Sequence, residues 1–199
     1  MTTNQDNIRA IYRLATAAER VNGVNWYSTA NQIAVSLADR YEISEAQAIG
    51  VIAALSPRNK WSRNVIDSEN LIIAYIADPE SAATVKVCTF GANKAKAIKT
   101  LGLSRAATLE KVLDILSGPK LREFASCIAG LPEICIDGHA YCIWTGGRTG
   151  LKDVPAIGVK LRWRIKADYR AVALDLGLTP SALQAITWCA WRRIHGVAK

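Results

Sequence analysis

Lys120 and Asp137 are the two side chains whose types and spacing suggest covalent chemistry. The lysine falls in the run Leu116-Ser117-Gly118-Pro119-Lys120-Leu121-Arg122-Glu123-Phe124. Two helical segments meet there with only Ser117-Gly118 between them. A turn that tight needs a residue able to take positive φ, and Gly118 is one. Pro119 suits the first position of the next helix, where a backbone N–H has no intrahelical partner to lose. Lys120 then lies in the first turn, where unpaired N–H groups point outward and the helix dipole is positive. Such a turn can hold a phosphate through its N–H groups. The same positive end disfavours the ammonium form of Lys120 and makes it a better nucleophile.

A helix over Pro119–Ala129 is about 16 Å long at 1.5 Å per residue. The following stretch, Gly130–Ile136, can span up to about 24 Å. The chain can therefore return to the start of that helix and bring Asp137 beside Lys120. A carboxylate placed there can hold the lysine, accept its proton, or stabilise a cation formed on a substrate. Plainer readings exist for each residue. Asp137 is a favoured helix N-cap, and Lys120 can serve as a phosphate contact or a solvated surface lysine. The hairpin turn and the spacing, taken together, favour a site.

The elements that must position these groups read as helices. Period-2 alternation is absent, and Val85–Phe90 is the one short strand candidate. A first helix is expected over Asn7–Val21, with Ile8, Ile11, Ala15 and Ala18 on one face and Gly23 as its stop. A second covers Trp26–Tyr41. Ser44-Glu45-Ala46-Gln47 reads as a capping box opening a third, with the apolar run Ile49–Leu55. Ser56-Pro57 ends it, because a residue before proline avoids the helical region. Further helices follow over Trp61–Ile76, after Gly91, from Thr108 to Gly118, from Pro119, from Asp137, over Val159–Leu176, and from Thr179-Pro180 to Gly196. The expected fold is all-α, about ten helices with short connections. With 199 residues the chain suits one domain or two small lobes.

Composition narrows the function class. The chain is 50% hydrophobic, so it can bury a core, and no apolar run approaches the ~20 residues of a membrane helix. The start, Met1-Thr2-Thr3-Asn4-Gln5-Asp6, lacks the pattern of a signal peptide. Lys and Arg number 25 against 17 Asp and Glu, a net charge of +8, which points to a polyanion and first of all to nucleic acid. The cations fall in short clusters, Arg58/Lys60/Arg63, Lys94/Lys96/Lys99, Lys160/Arg162/Arg164/Lys166 and Arg192/Arg193. Five cysteines, an odd count, suit reduced thiols in an intracellular compartment. Cys135-x3-His139-x2-Cys142 lacks the paired spacing of a structural zinc site, so no metal and no cofactor are expected. Of the six tryptophans, Trp188 and Trp191 share a helix face and read as packing. Trp61, beside Arg58, Asn59 and Lys60, reads as a possible base platform.

The ordered set of segments resembles the helix-hairpin-helix–Gly/Pro–Asp superfamily of DNA glycosylases, which includes endonuclease III and 8-oxoguanine glycosylase. Leu116-Ser117-Gly118-Pro119-Lys120 looks like a shortened form of that family's hairpin. Asp137-Gly138-His139 matches its Asp-x-His. Ala53-Ala54-Leu55-Ser56-Pro57-Arg58-Asn59-Lys60 looks like its Leu-Ser-x-Gln/Asn segment, with Asn59 as the gap-filling amide. Gly91-Ala92-Asn93-Lys94-Ala95-Lys96-Ala97-Ile98 resembles its Gly-x-x-x-Lys-Ala helix. The likeness covers roughly residues 45–145. The second hairpin glycine and the iron–sulfur cysteines are missing, and Pro119 removes one N–H from the turn. Residues 184–193 look like small phage-associated relatives.

The resemblance implies a two-lobed helical fold with the hairpin near residues 108–129, in which helices within 155–196 pack with the N-terminal ones. It implies a monomer acting on double-stranded DNA with a flipped base. Lys120 would attack the sugar C1′ and Asp137 would stabilise the charge that develops there. Ser56, Arg58, Asn59, Lys60, Trp61, Lys94, Gly118 and His139 would contact DNA or the base. Strand cleavage by elimination could follow. Two other readings stay open: a phage DNA hypermodification enzyme acting on a modified thymine, and a non-catalytic helix-hairpin-helix DNA-binding module.

Overall fold

Residues 3–150 and 153–196 are described by a computed structural model. They form α1 (Asn4–Leu14), α2 (Ala17–Tyr41), α3 (Glu45–Leu55), α4 (Trp61–Ala77), α5 (Gly91–Leu101), α6 (Leu109–Leu116), α7 (Pro119–Ile128), α8 (Gly138–Thr145), α9 (Val159–Asp175) and α10 (Pro180–Ile194). One 3-10 turn, Ser81–Thr84, joins α4 to the loop before α5. No strand occurs among the described residues, so the protein is all-α. Val85–Phe90, the strand candidate, is a loop of bends. Its backbone is held by side chains rather than by a ladder: Lys94 donates to the carbonyls of Ala83 and Val85, and Asp67 accepts the Cys88 N–H. The chain divides into two compact units, one of residues 28–130 and one of residues 1–27 with 131–199.

In the unit of residues 28–130, α3 is the hub. Every residue from Gln47 to Leu55 is buried, which is how a helix apolar on all sides must sit. It packs against α4, α5, α6 and α7. The Ser44 box forms: the Gln47 N–H donates to Ser44 Oγ at 3.1 Å, and the Ser44 N–H to Gln47 Oε1 at 2.8 Å. Gln47 Nε2 also donates to the Leu101 and Leu103 carbonyls at 3.0 and 2.8 Å, closing the C-terminal end of α5. Gly50 lets α5 and α6 come close; a Cβ there would lie 2.5 Å from Val112 and 2.6 Å from Thr100.

In the other unit, α1 packs against α8, α9 and α10. Ile8, Ile136, Ile143, Ile165, Tyr169, Val172, Leu183 and Trp191 form its core. Asp168 ties three helices, accepting from Gln5 Nε2 at 2.9 Å and from Trp144 Nε1 at 2.7 Å. Burial drives the Tyr169 phenol above its ordinary pKa.

The first two helices differ from expectation. The break falls at Ala15-Thr16, and α2 runs unbroken through Gly23. The cause is a capping pair: the Thr16 N–H donates to Glu19 Oε2 at 2.9 Å, and the Glu19 N–H to Thr16 Oγ1 at 3.2 Å. Gly23 is a contact point, not a stop. A Cβ there would meet Ile186 of α10 at 2.4 Å.

Candidate functional site

The α6–α7 hairpin has the tight form that its sequence predicts. Ser117 has φ of 20° and Gly118 φ of 101°, and Pro119 opens α7. No side chain caps α7, so its first turn keeps the character of an anion site. Lys96 of α5 donates to the Ser117 carbonyl at 3.2 Å, which fixes the turn from behind. Lys120 is exposed in the first turn of α7. Glu123, one turn further, is a buried carboxylate at 4% exposure. Sequence reasoning passed over it, although an acid three residues from a candidate nucleophile was visible in the run.

The segment from Ser56 to Trp61 carries five of the predicted contacts. Arg58 takes a positive φ of 58°, a conformation costly for a non-glycine residue, and its guanidinium lies over the Phe90 ring at 4.9 Å. Arg58 and Lys60 are exposed. Asn59 is turned inward. Its Nδ2 donates to Asp67 Oδ2 at 3.0 Å and to the Leu55 carbonyl at 3.3 Å. Ser56 Oγ donates to the Ala53 carbonyl at 2.9 Å. Trp61 meets Phe124 edge-on, with ring centroids 6.5 Å apart.

Asp67 explains this arrangement, and the sequence reading did not single it out. Its side chain is fully buried and accepts from Arg63 Nε at 2.6 Å, Asn59 Nδ2 at 3.0 Å and the Cys88 N–H at 2.8 Å. The ion pair raises the Arg63 pKa, first through the hydrogen bond and then through the charge of Asp67. A single carboxylate thus links the loop before α4 to the loop before α5. The signal was Arg63 and Asp67 at i, i+4 on a helix whose inner face also carries Asn64 and Ser68.

Asp137 belongs to the other unit. It is the N-cap of α8, and its Oδ1 accepts the Ala140 N–H at 2.9 Å. Its charge acts on the Tyr169 phenol and on the Arg192 guanidinium. Arg192 lies over the Trp188 ring at 4.3 Å, and partial burial lowers its pKa. His139 sits half-buried in the first turn of α8. Lys120 and Asp137, joined in the sequence reading, are therefore carried by different units. Among the described residues no group of three or more His, Cys, Asp and Glu could hold a metal ion. None of the five cysteines is in a disulfide.

Fold and geometry together define an all-helical, basic protein built on a tight helical hairpin. The chain belongs to a protein family described as "Family of unknown function (DUF7178)", which it matches over residues 1–195. No curated protein matches the chain, and no solved structure does. No helix among the described residues is long and apolar enough to cross a membrane.

Proposed function

We propose that the protein acts on DNA as a lysine-dependent, glycosylase-like enzyme. The observation that carries this reading is Lys120, exposed in the uncapped first turn of α7, directly after a turn held at positive φ by Ser117 and Gly118. A phosphate of the DNA backbone docks on that turn. The target base leaves the stack. Unprotonated Nζ of Lys120 attacks C1′ of the sugar as the glycosidic bond breaks, and that bond's electron pair leaves with the base, which takes up a proton. Opening of the sugar ring then leaves a Schiff base on Lys120. Asp137 is the carboxylate that the resemblance assigns to stabilising positive charge on the sugar.

The test is borohydride trapping on DNA containing an abasic site. The wild-type protein is expected to become covalently linked, and Lys120→Gln to lose the link. Undiminished trapping in Lys120→Gln excludes this lysine as the nucleophile. The second reading, a non-catalytic DNA-binding hairpin, is favoured by the same uncapped turn. It predicts DNA binding with no trapping in either protein.

A further inference from the structure

The last fifty residues hold a surface that the hairpin reading does not use. Trp163 of α9 is 68% exposed, whereas Trp144 and Trp191 are buried and Trp26, Trp61 and Trp188 are half-buried. A large aromatic ring left in water invites a partner. Lys160 and Arg164, one helical turn apart, are also exposed and lie together on one side of Trp163. The guanidinium of Arg164 rests over the Trp144 ring at 5.8 Å, which holds it in place. Asp168, the next acid along α9, accepts from Trp144 and Gln5. The unit that carries α9 has 13 of the 25 Lys and Arg but 7 of the 17 Asp and Glu.

We propose that this face of α9 binds single-stranded nucleic acid. A base stacks on Trp163, and Lys160 and Arg164 pair with phosphates of the strand running beside the ring. Charge decides among the possible occupants. A second copy would bring the same cations against each other. A lipid surface rewards a continuous apolar stripe; along this face Val159, Trp163 and Ala167 are interrupted by the exposed cation Arg170. Leu174, also exposed, lies about 16 Å further along the helix. A single strand offers what the patch lacks, a π-face joined to negative charge. The proposal needs no chemistry at Lys120 and stands apart from the enzymatic reading.

Fluorescence anisotropy with a labelled oligothymidylate of about 15 nucleotides tests it. Trp163→Ala is expected to weaken binding by about tenfold, and Trp163→Phe by no more than about threefold. In Lys160→Gln/Arg164→Gln, the slope of log affinity against log salt becomes shallower by about 1.4, for two lost phosphate contacts. Wild-type affinity in Trp163→Ala overturns the proposal. So does an unchanged salt slope, or an equal loss of Trp163→Ala binding to phosphatidylserine vesicles. The ring and both cations are exposed, so the folded state, checked by circular dichroism, survives each change.

Discussion

Replacing Asp67 by Ala removes the acceptor on which three donors converge. Those donors do not weigh equally. The Arg63 side chain is 48% exposed, so its guanidinium can turn to water at little cost. Asn59 Nδ2 and the Cys88 N–H face a carboxylate that is fully buried. Cys88 is exposed, so its N–H can turn to water, and Asn59 Nδ2 keeps the Leu55 carbonyl; the part-buried amide and the cavity left by the carboxylate give about 2–3 kcal/mol. Asp67→Asn keeps the shape and one acceptor oxygen, and it removes a buried charge whose desolvation opposed folding. Its expected cost is about half as large. Urea unfolding followed by circular dichroism measures both. Hydrogen exchange adds a local reading, because the Cys88 amide should lose protection in Asp67→Ala. A loss below about 1 kcal/mol, with the Cys88 amide still protected, would refute the view that Asp67 joins the two loops.

Gly23→Ala tests the close approach of α2 and α10. Helix propensity favours the change by about 1 kcal/mol, but the new Cβ would lie 2.6 Å from the Ile186 backbone, which cannot rotate away. The net expectation is a loss of about 1–3 kcal/mol in urea unfolding; a gain would mean that the helices separate at little cost. Acid should destabilise the unit of residues 1–27 and 131–199 in two steps. Burial and then the charge of Arg148 hold His195 below its ordinary pKa, so the unfolded chain takes the proton first and stability falls as pH drops through about 6.5. The Arg193 hydrogen bond holds the Glu19 carboxyl low, so its contribution is present above the ordinary carboxylate range and is lost as pH falls through the lowered value. In His195→Gln, thermal unfolding should lose the first step, between about pH 7 and pH 5, and keep the second, below about pH 4.5. An unchanged pH profile in that variant removes His195 from the account.

Much of the fold was legible because local rules and packing agreed. The Ser44–Gln47 box, Pro119 and Pro180 at helix starts, and the Asp137 cap lie where their chemistry places them. Helix α3 ends before Ser56-Pro57 as expected, but Ser56 itself keeps helical angles, φ −70° and ψ −29°, so its avoidance of the helical region is not what stops the helix. The exception at α1–α2 is instructive. Thr16-Ala17-Ala18-Glu19 spells a capping box, but the apolar series through Ala15 and Ala18 masked it, and glycine was read as a stop. Gly23 is small because Ile186 needs the space, a reason that lies about 160 residues away in the chain. The exposure of Trp163 was latent in α9. The buried set Ile165, Tyr169 and Val172 has helical spacing, and Trp163 falls off that line.

The candidate site was harder to read, because residue type does not reveal the direction of a side chain. Asn59, singled out as an amide reaching toward DNA, gives its N–H groups to Asp67 and to Leu55. Lys94 gives its ammonium to the carbonyls of Ala83 and Val85. Both tie down the loops on either side of Arg58 and Phe90, the one stacked pair that those loops present outward. The motif-like segments therefore divide by role. Asn59, Asp67 and Lys94 set the shape of the surface, and Arg58 and Lys60 supply its charge. Losing one of the first group should change where Arg58 lies; losing Arg58 should change only what the surface attracts. A strained φ at Arg58 can persist because its neighbours over-determine it, so the loop is built to hold a cation in one place.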